Sequence, residues 1–260
     1  MNSASGPDLE LASVSAKLYL VNCAAVIPCF NEEKTIAALV SSLLKQLPCV
    51  VVVDDGSTDG TAQNARNTGA IVIRHERNRG KGAALQTGLA HLLTLGFDRA
   101  VTLDGDGQHD PAQLPAFLRC AEETGATLVI GNRMHNAQAM PWVRRHVNCW
   151  MSRRLSRASG YDLPDTQSGF RLVHLQTWAS LPLHAQHFEI ESEMLVTFLA
   201  AGHSVEFVPI RVIASGRQSR IHLFTDTVRW WKWWRAMKRK TAALPDVQIS
   251  RPPCETVAQT

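Results

Sequence analysis

CVVVVDDGSTDGT, residues 49–61, is an unbroken apolar run that ends in two carboxylates and leads into a segment rich in turn and capping residues. A short run that is apolar at every position is typical of a strand covered on both faces, as in a parallel sheet. Thr58 or Asp59 is placed to cap the helix that follows. Capping needs only one acid or hydroxyl. The pair Asp54 and Asp55 therefore indicates a ligand contact as well, to a base edge or to ribose hydroxyls.

The same strand-then-helix pattern repeats on both sides of this stretch. Apolar runs predict strands at residues 24–28, 49–53, 70–74, 100–103 and 127–131, and helical periodicity predicts helices at residues 32–47, 58–68, 81–95 and 111–123. Asn31 is placed to cap the first helix. This alternation predicts an α/β fold with a largely parallel sheet, which binds ligands beyond the carboxyl ends of its strands. The chemistry should therefore follow Pro28, Val53, Arg74 and Leu103.

From residue 134 onward the alternation is lost. An arginine-rich, helix-like stretch comes first, followed by residues 165–171, a strand-like segment at 205–213 and a strong helical segment at 223–240. We expect a flexible leader over residues 1–20, one α/β domain over 21–222, an amphipathic helix over 223–241 and a disordered tail over 242–260.

Composition narrows the class of protein. The six cysteines form no close pair, which argues against disulfides or a zinc site and favours the cytosol. No run approaches the roughly 20 apolar residues of a membrane span, and residues 1–20 do not resemble a secretion signal. The net charge is +4, and nine lysines and arginines lie within residues 211–240. Such a basic end predicts contact with phosphate groups of nucleic acid, of an anionic membrane or of a phosphorylated substrate.

The fourth predicted strand ends in a second acidic turn, DGDGQHDP, residues 104–111. Asp104, Asp106 and Gln108 offer hard oxygens, the ligands that Mg²⁺ and Mn²⁺ prefer. The alternative is a plain turn that opens the helix at Asp110-Pro111. The position at a strand's carboxyl end favours the metal site.

A basic loop, RNRGKG at residues 77–82, follows the third strand. Its glycines let the backbone approach a ligand, and cations such as Lys81 suit a diphosphate. The spacing is not that of a P-loop. A solvated loop is the alternative.

Taken in order, these segments resemble the family 2 glycosyltransferases of the GT-A fold, and above all the dolichyl- and polyprenyl-phosphate sugar synthases. The resemblance spans roughly residues 24–221. It rests on VIPCFNE (26–32), VVDDGSTDGT (52–61), NRGKG (78–82), DGDGQH (104–109), GNR (131–133), DTQSGFR (165–171) and VPI (208–210). It implies a GT-A domain with a nucleotide-sugar half, residues 21–133, and an acceptor half, residues 134–222.

The resemblance also implies roles for individual residues. The nucleotide-sugar donor would contact Pro28, Phe30, Glu32, Asp54, Asp55, Lys81, Asp104, Asp106 and Arg133. Asp104, Asp106 and Gln108 would hold Mg²⁺ or Mn²⁺. Acceptor or phosphate groups would contact Arg144, Ser168, Arg171 and Arg220, and the catalytic residues would be Asp106, Arg133 and Asp165. Two positions depart from the family pattern: Ser219 is followed by Arg220 where lysine is common, and Gly105 stands where alanine is common.

The acceptor is predicted from its need for a base. A hydroxyl acceptor needs a general base, whereas a lipid phosphate is already an anion at neutral pH. Cationic residues are plentiful here, which favours a polyprenyl or dolichyl phosphate and, by the family likeness, an inverting transfer. Asp165 or Glu191 could instead serve as a base, or both could be structural partners of arginines. Transfer to a hydroxyl of a glycolipid or polysaccharide therefore remains an alternative, as does a non-catalytic nucleotide- or lipid-binding module.

Residues 223–240, LFTDTVRWWKWWRAMKRK, place tryptophans on one half of a helix and cations mainly on the other. Such a helix fits an anionic membrane surface, because tryptophan prefers the headgroup zone. The alternative is a helix packed on the domain, although four tryptophans in five positions exceed what one core stripe can bury. No nucleic-acid-binding motif is present. We therefore expect a cytoplasmic, peripheral protein at the inner face of the membrane, with no prediction for a protein partner.

Overall fold

The computed structural model of the chain describes residues 22–134, 140–213 and 223–241. In these ranges the strands are β1 (Cys23–Cys29), β2 (Val50–Asp54), β3 (Ile71–Arg74), β4 (Arg99–Thr102), β5 (Leu128–Asn132), β6 (Arg171–His174) and β7 (Val205–Pro209). The helices are α1 (Ile36–Leu44), α2 (Thr61–Asn67), α3 (Lys81–Thr94), α4 (Leu114–Thr124), α5 (Trp142–Ser159), α6 (Leu175–Ala179), α7 (Ile190–Ala200) and α8 (Leu223–Thr241). The predicted leader, the predicted tail and Arg220 lie outside the described residues.

The described strands form one seven-stranded sheet in the order β3-β2-β1-β4-β6-β5-β7. Strands β1, β2, β3 and β4 pair in parallel, and so do β5 and β7. Only β6 runs against its neighbours, with Thr102 of β4 opposite its first residue, Arg171. The predicted α/β fold with a largely parallel sheet is confirmed. The strand β6 was not predicted, because it has only four residues and carries Arg171 and His174 at its ends.

Helices cover both faces of the sheet, so successive residues of β1 enter two different cores. Ala24 and Val26 pack with residues of α3, α5, α7 and α8. Ala25 and Ile27 pack with residues of α1 and α4. A Cβ at Gly88 of α3 would lie 2.4 Å from Cγ1 of Val26, so this glycine lets α3 lie directly on the sheet. Burial on both faces explains why β1 and β2 are apolar without alternation.

The predicted cap of the first helix is wrong. Helix α1 begins at Ile36, preceded by Thr35, whereas Asn31 has a φ of 55° and its Oδ1 accepts a hydrogen bond of 2.8 Å from the backbone N–H of Thr58. An asparagine tolerates the left-handed region because its short amide can bond locally. Asn31 therefore joins the loop after β1 to the loop after β2. Asp59 does accept from the Thr61 N–H at the start of α2, at 3.0 Å.

Candidate active site

The two carboxylates that follow β2 bind the protein itself. Asp54 is fully buried, and its carboxylate accepts from the Ser57 N–H at 2.9 Å and lies 3.3 Å from Nε of Arg74. Asp55 contacts Nδ1 of His75 at 2.6 Å and accepts from the backbone N–H groups of residues 79 and 80 at 2.9 and 2.7 Å. The pair thus shapes the loops at the carboxyl end of β2. A contact with base or ribose stays a prediction.

The predicted nucleoside-pocket residues line the neighbouring end of β1. Pro28 is buried within the strand, opposite Val53. Phe30, just beyond it, is 38% exposed, and Glu32 is nearly buried. An exposed aromatic ring at a strand's carboxyl end offers a face on which a base can stack. These three residues thus follow one another along the carboxyl end of β1 and the loop after it.

The acidic turn after β4 holds two carboxylates in different electrostatic states. Burial alone would raise the pKa of Asp104, but the Lys81 ammonium and His109 hold that pKa well below 3.8. Nε2 of His109 lies 3.4 Å from Oδ2 of Asp104. Burial, and then the charge of Asp104, raise the pKa of Asp106 above 3.8. Asp106 is thus a desolvated carboxylate with no ion pair among the described residues, and a bound cation would relieve that cost.

The remaining ligand atoms fit a small, hard cation that keeps other ligands. Gln108 accepts from Nη1 of Arg144 at 3.3 Å through its side-chain oxygen, and its backbone N–H donates to Asp106 at 3.0 Å. No group of three or more His, Cys, Asp and Glu side chains suited to a metal occurs in the described ranges. Two carboxylates and an amide oxygen match Mg²⁺ or Mn²⁺, since these ions usually retain water and substrate phosphate. They would not make a closed structural site.

Lys81 ties the acidic turn to the second half of the chain. Its ammonium forms ion pairs with Asp104 and, at 2.5 Å, with Oε1 of Glu191, and it lies 5.5 Å from the centre of the Phe188 ring. The two carboxylates outweigh the effect of burial and raise the pKa of Lys81. Lys81 and Glu191 are 110 positions apart in the sequence, so no local pattern predicts their ion pair.

A cleft opens beside these residues. Its walls come from the start of α3, the acidic turn, α5, the segment before α7 and helix α8. The lining includes Lys81, Asp104, Arg144, Gln167, Phe188, Glu191 and Trp230. Burial and the nearby charge of Arg133 lower the pKa of Arg144. The Nε of Arg144 is buried and has no hydrogen-bond acceptor in the described part of the chain, so the cleft holds a cation that lacks an anion.

Arg133 and Asp165, both predicted to be catalytic, are bound to each other. Asp165 is fully buried and accepts from Nε of Arg133 at 2.7 Å, from its Nη2 at 2.9 Å and from its backbone N–H at 3.1 Å. The N–H of Gln167 adds a fourth bond at 3.1 Å. Despite burial, Arg133 lowers the pKa of Asp165. A carboxylate so satisfied is a poor base, which favours the alternative in which these two residues are structural partners.

Two of the residues predicted to bind acceptor phosphate lie inside the protein. Arg171 is 2% exposed and donates to the carbonyls of Thr166, Ser168 and Glu191 at 3.1, 2.8 and 2.7 Å. Burial lowers the pKa of Arg171 to about 10. Ser168 is fully buried, and its Oγ has no partner in the described ranges. Arg171 therefore secures the loop that borders the acidic turn, and Arg144 remains the predicted phosphate ligand that reaches the cleft.

Two contacts near the acidic turn and the cleft are not predicted from the sequence. A Cβ at Gly169 would lie 2.5 Å from Oδ1 of Asp104, so only glycine lets the loop before β6 pass the acidic turn. Trp230 of α8 is 2% exposed, borders the cleft, and donates from Nε1 to Oγ of Ser192 at 2.9 Å. Trp234 is also buried. Trp231 is 43% exposed, so the described core buries only part of this group of four, as expected.

In the described ranges, none of the helices has both the length and the apolar content that a membrane span requires. Trp231 of α8 remains 43% exposed. The two sequence-based alternatives for α8 thus share the helix: one face packs on the domain, and part of the other is open.

Comparison with known proteins gives consistent results. The model for glycosyl transferase family 2 matches residues 24–176, more than half of the chain. A UDP-N-acetylglucosamine–dolichyl-phosphate N-acetylglucosaminyltransferase of Methanococcus voltae is 32% identical over 211 residues, covering 72% of this chain and 84% of that protein. An undecaprenyl-phosphate mannosyltransferase of Micrococcus luteus is 28% identical over 201 residues, covering 72% and 82%. The crystal structure of Mycobacterium tuberculosis glucosyl-3-phosphoglycerate synthase with Mn²⁺, UDP-glucose and phosphoglyceric acid is 25% identical, with a TM-score of 0.67 over 94% of this chain and 87% of that one.

Proposed function

Because the chain belongs to glycosyl transferase family 2, we propose that this glycosyltransferase moves a hexose from a nucleotide-diphosphate sugar to a polyprenyl or dolichyl phosphate. The donor is of the UDP-glucose or GDP-mannose type, and the transfer inverts the anomeric centre. We place the reaction at the cytoplasmic face of the membrane, because its acceptor is a membrane lipid. The names of two relatives, which transfer sugars to dolichyl or undecaprenyl phosphate, support this acceptor class.

The observation that carries the proposal is the guanidinium of Arg144 in the cleft, which donates to Gln108 but forms no ion pair with an acid in the described residues. Its Nε has no acceptor among the described residues, and burial together with Arg133 lowers its pKa. An anion bound at this guanidinium would satisfy the N–H and restore the pKa. A phosphate oxygen does both, because arginine forms charge-assisted hydrogen bonds with phosphate. A neutral hydroxyl could accept from the N–H but would not restore the pKa.

The mechanism follows from how the cleft residues are held. Glu191 and Asp104 hold the Lys81 ammonium in the cleft that Arg144 also lines, so two cations are available to incoming phosphate groups. The Arg133–Asp165 pair and the three carbonyl contacts of Arg171 fix the loop behind them, which keeps the cleft preorganised. A Mg²⁺ or Mn²⁺ ion bound by Asp104 and Asp106, with Gln108, would stabilise the negative charge of the departing diphosphate. An acceptor phosphate attacks as an anion, so no side chain has to remove a proton.

A hydroxyl acceptor is the second candidate, and one observation favours it. The Oε2 of Glu191 has no hydrogen-bond donor in the described chain, its Oε1 is held by Lys81, and Glu191 borders the cleft beside Asp104. If Lys81 left Glu191 to bind the donor, that carboxylate would be available as a base.

A comparison of two matched acceptors separates these candidates. The purified protein is incubated with Mn²⁺, labelled UDP-glucose or GDP-mannose, and either a short prenyl phosphate or the corresponding prenol. We expect transfer to the phosphate only. Arg144→Gln should raise the KM for the prenyl phosphate about 10- to 100-fold, since a hydrogen bond to a charged group contributes about 1.5–3 kcal/mol. The matched control, Arg119→Gln on the exposed side of α4, should leave it unchanged. Transfer to the prenol or to an oligosaccharide, with none to the phosphate, would show that the proposed acceptor is wrong.

A further inference from the structure

Helix α5 has one strongly cationic surface that the proposed reaction does not use. Its sequence, WVRRHVNCWMSRRLSRAS, contains five arginines, one histidine and no acid. Arg144 points into the cleft, whereas Arg145, Arg153, Arg154 and Arg157 are exposed. None of these four forms an ion pair with an acid in residues 22–134, 140–213 or 223–241. A surface with this much unbalanced charge attracts anions.

The exposed arginines share one side of α5 with two tryptophans. At about 100° per residue, Trp142, Arg145, Trp150, Arg153, Arg154 and Arg157 fall within about half of the helix circumference; we call this surface the α5 face. The buried residues Asn148, Met151, Ser152 and Leu155 lie on the opposite half. The α5 face therefore cannot be part of the core.

Aromatic rings and cations alternate on the α5 face. Trp142 is 73% exposed and Trp150 is 38% exposed, and the guanidinium of Arg154 lies 5.0 Å from the Trp150 ring centre. The adjacent helix α8 repeats this pair, with Arg235 lying 4.7 Å from the ring centre of the exposed Trp231. The buried Trp230 joins the two helices, because its ring lies 5.5 Å from that of Trp150.

Exposed apolar side chains concentrate in the same place. Of the nine large apolar side chains that are exposed in the described ranges, five lie on α5 and α8: Trp142, Val143, Trp150, Val228 and Trp231. Tryptophan prefers the headgroup zone of a bilayer, and arginine is attracted to anionic lipid. The exposed valines beside them add apolar surface, which is stabilised by contact with lipid but not by contact with a polynucleotide backbone.

We propose that the α5 face, with Trp231 and Arg235 of α8 beside it, is a docking surface for anionic phospholipid headgroups. This differs from the assignment of membrane contact to residues 223–240 alone, because two tryptophans of that helix are buried and α5 supplies most of the exposed charge. The opposite edge of α5 carries Arg144 and Met151 into the cleft. Docking on this face leaves the cleft on the other side of α5, about one helix diameter, roughly 10–12 Å, from the lipid surface. The use of the cleft for a lipid acceptor rests on the proposed function; the binding of vesicles does not.

The test measures binding of the whole chain to vesicles of phosphatidylcholine alone or mixed equally with phosphatidylglycerol. We expect binding to the mixed vesicles only, weakening as salt is added. The double variant Arg153→Gln/Arg157→Gln should lower the partition coefficient about 25-fold, about fivefold for each arginine. Trp142→Ala should weaken binding by an amount that persists at high salt, because apolar contact is not screened. The matched control Arg66→Gln/Arg119→Gln removes the same charge from α2 and α4, where both arginines are exposed, and should bind as the unmodified chain does.

Equal binding by the double variant and the unmodified chain, or equal losses in the double variant and its control, would overturn the proposal. A single-stranded oligonucleotide that binds more tightly than the mixed vesicles, with that binding lost in Arg153→Gln/Arg157→Gln, would make this a nucleic-acid surface and overturn it as well. A transfer assay without vesicles keeps the two proposals apart. With a short, water-soluble prenyl phosphate the double variant should match the unmodified rate. No transfer by either protein, with vesicle binding intact, would count against the acceptor alone.

Discussion

Gly105 stands between the two carboxylates of the acidic turn, at a position where the resembling synthases often carry alanine. In this chain a Cβ at Gly105 would lie 2.7 Å from Sγ of Cys29 and 3.3 Å from Cγ of Glu32. Gly105 is not among the glycines with positive φ, so alanine fits the backbone and the conflict is steric. Overpacking costs about 1–3 kcal/mol, and the reduced entropy of the unfolded chain offsets about 0.4–1 kcal/mol. We expect Gly105→Ala to lower the free energy of unfolding by about 1–2 kcal/mol.

The partner of this clash can be removed, which makes the reasoning testable. Cys29 is 3% exposed, so Cys29→Ala alone should cost about 1 kcal/mol of buried apolar contact. In the double variant the alanine at position 105 occupies the space that the thiol has left. The loss of unfolding free energy in the double variant should therefore be smaller than the sum of the two single losses, by about 1 kcal/mol or more. Urea unfolding followed by tryptophan fluorescence measures all four proteins.

The control is Gly60→Ala, since a Cβ at Gly60 would meet its nearest atom, Oε2 of Glu33, at an ordinary 3.4 Å. Additive costs in the Cys29 and Gly105 double variant, or equal costs for Gly105→Ala and Gly60→Ala, would refute the steric explanation.

Three further predictions concern the ionised groups. Because burial and Asp104 raise the pKa of Asp106, Asp106→Asn should raise the melting temperature of the metal-free protein by about 2–4 °C in scanning calorimetry. The same variant should lower the transfer rate at least about 100-fold in the transfer assay. A lower melting temperature would contradict the expected stabilisation. Asp165→Asn leaves Arg133 buried without its counter-charge and should lower the free energy of unfolding in urea by about 3–5 kcal/mol at neutral pH. Since the folded-state pKa of Asp165 is lowered, the difference from the unmodified protein should shrink as the pH falls through that pKa. A difference that does not depend on pH would contradict this prediction. Lys81 and a bound metal ion would compete for Asp104. Lys81→Met should therefore bind Mn²⁺ at least about tenfold more tightly in calorimetric titration, and it should bind the donor more weakly. An unchanged Mn²⁺ affinity would show that Lys81 does not compete for Asp104.

The first half of the fold could be predicted because its signals are local. Each of β1 to β4 is a short, mostly apolar run followed by turn residues and a helical period, and parallel pairing then places the acids after β2 and β4 at one edge of the sheet. Strand β6 gave no such signal, since its pairing with β4 depends on residues about 70 positions apart. The prediction that Asn31 caps the first helix is wrong, because no neighbouring residue indicates that its backbone lies in the left-handed region.

The candidate site was predicted by residue type but not by partner. Arg133 and Asp165 were both assigned to the site, yet 32 positions separate them, and a residue's spacing does not say whether its charge meets a ligand or another side chain. The same limit applies to Lys81, whose partner Glu191 comes from the second half of the chain. For Arg171, predicted to be a phosphate ligand, the sequence motif suits a structural role equally well, and its burial favours the structural role.

The antiparallel strand β6 has a consequence for how the chain folds as it is synthesised. Strand β4 does not pair with β5, which follows it, but with β6, whose last residue is His174. Until residue 174 has left the ribosome, β4 is therefore an open sheet edge, and such edges invite pairing with other chains. Gly169 and Arg171 arrive in the same late step, so the acidic turn gains its neighbouring loop only when that edge closes. A chain that stopped at residue 133 would carry Asp104 and Asp106 next to an aggregation-prone edge.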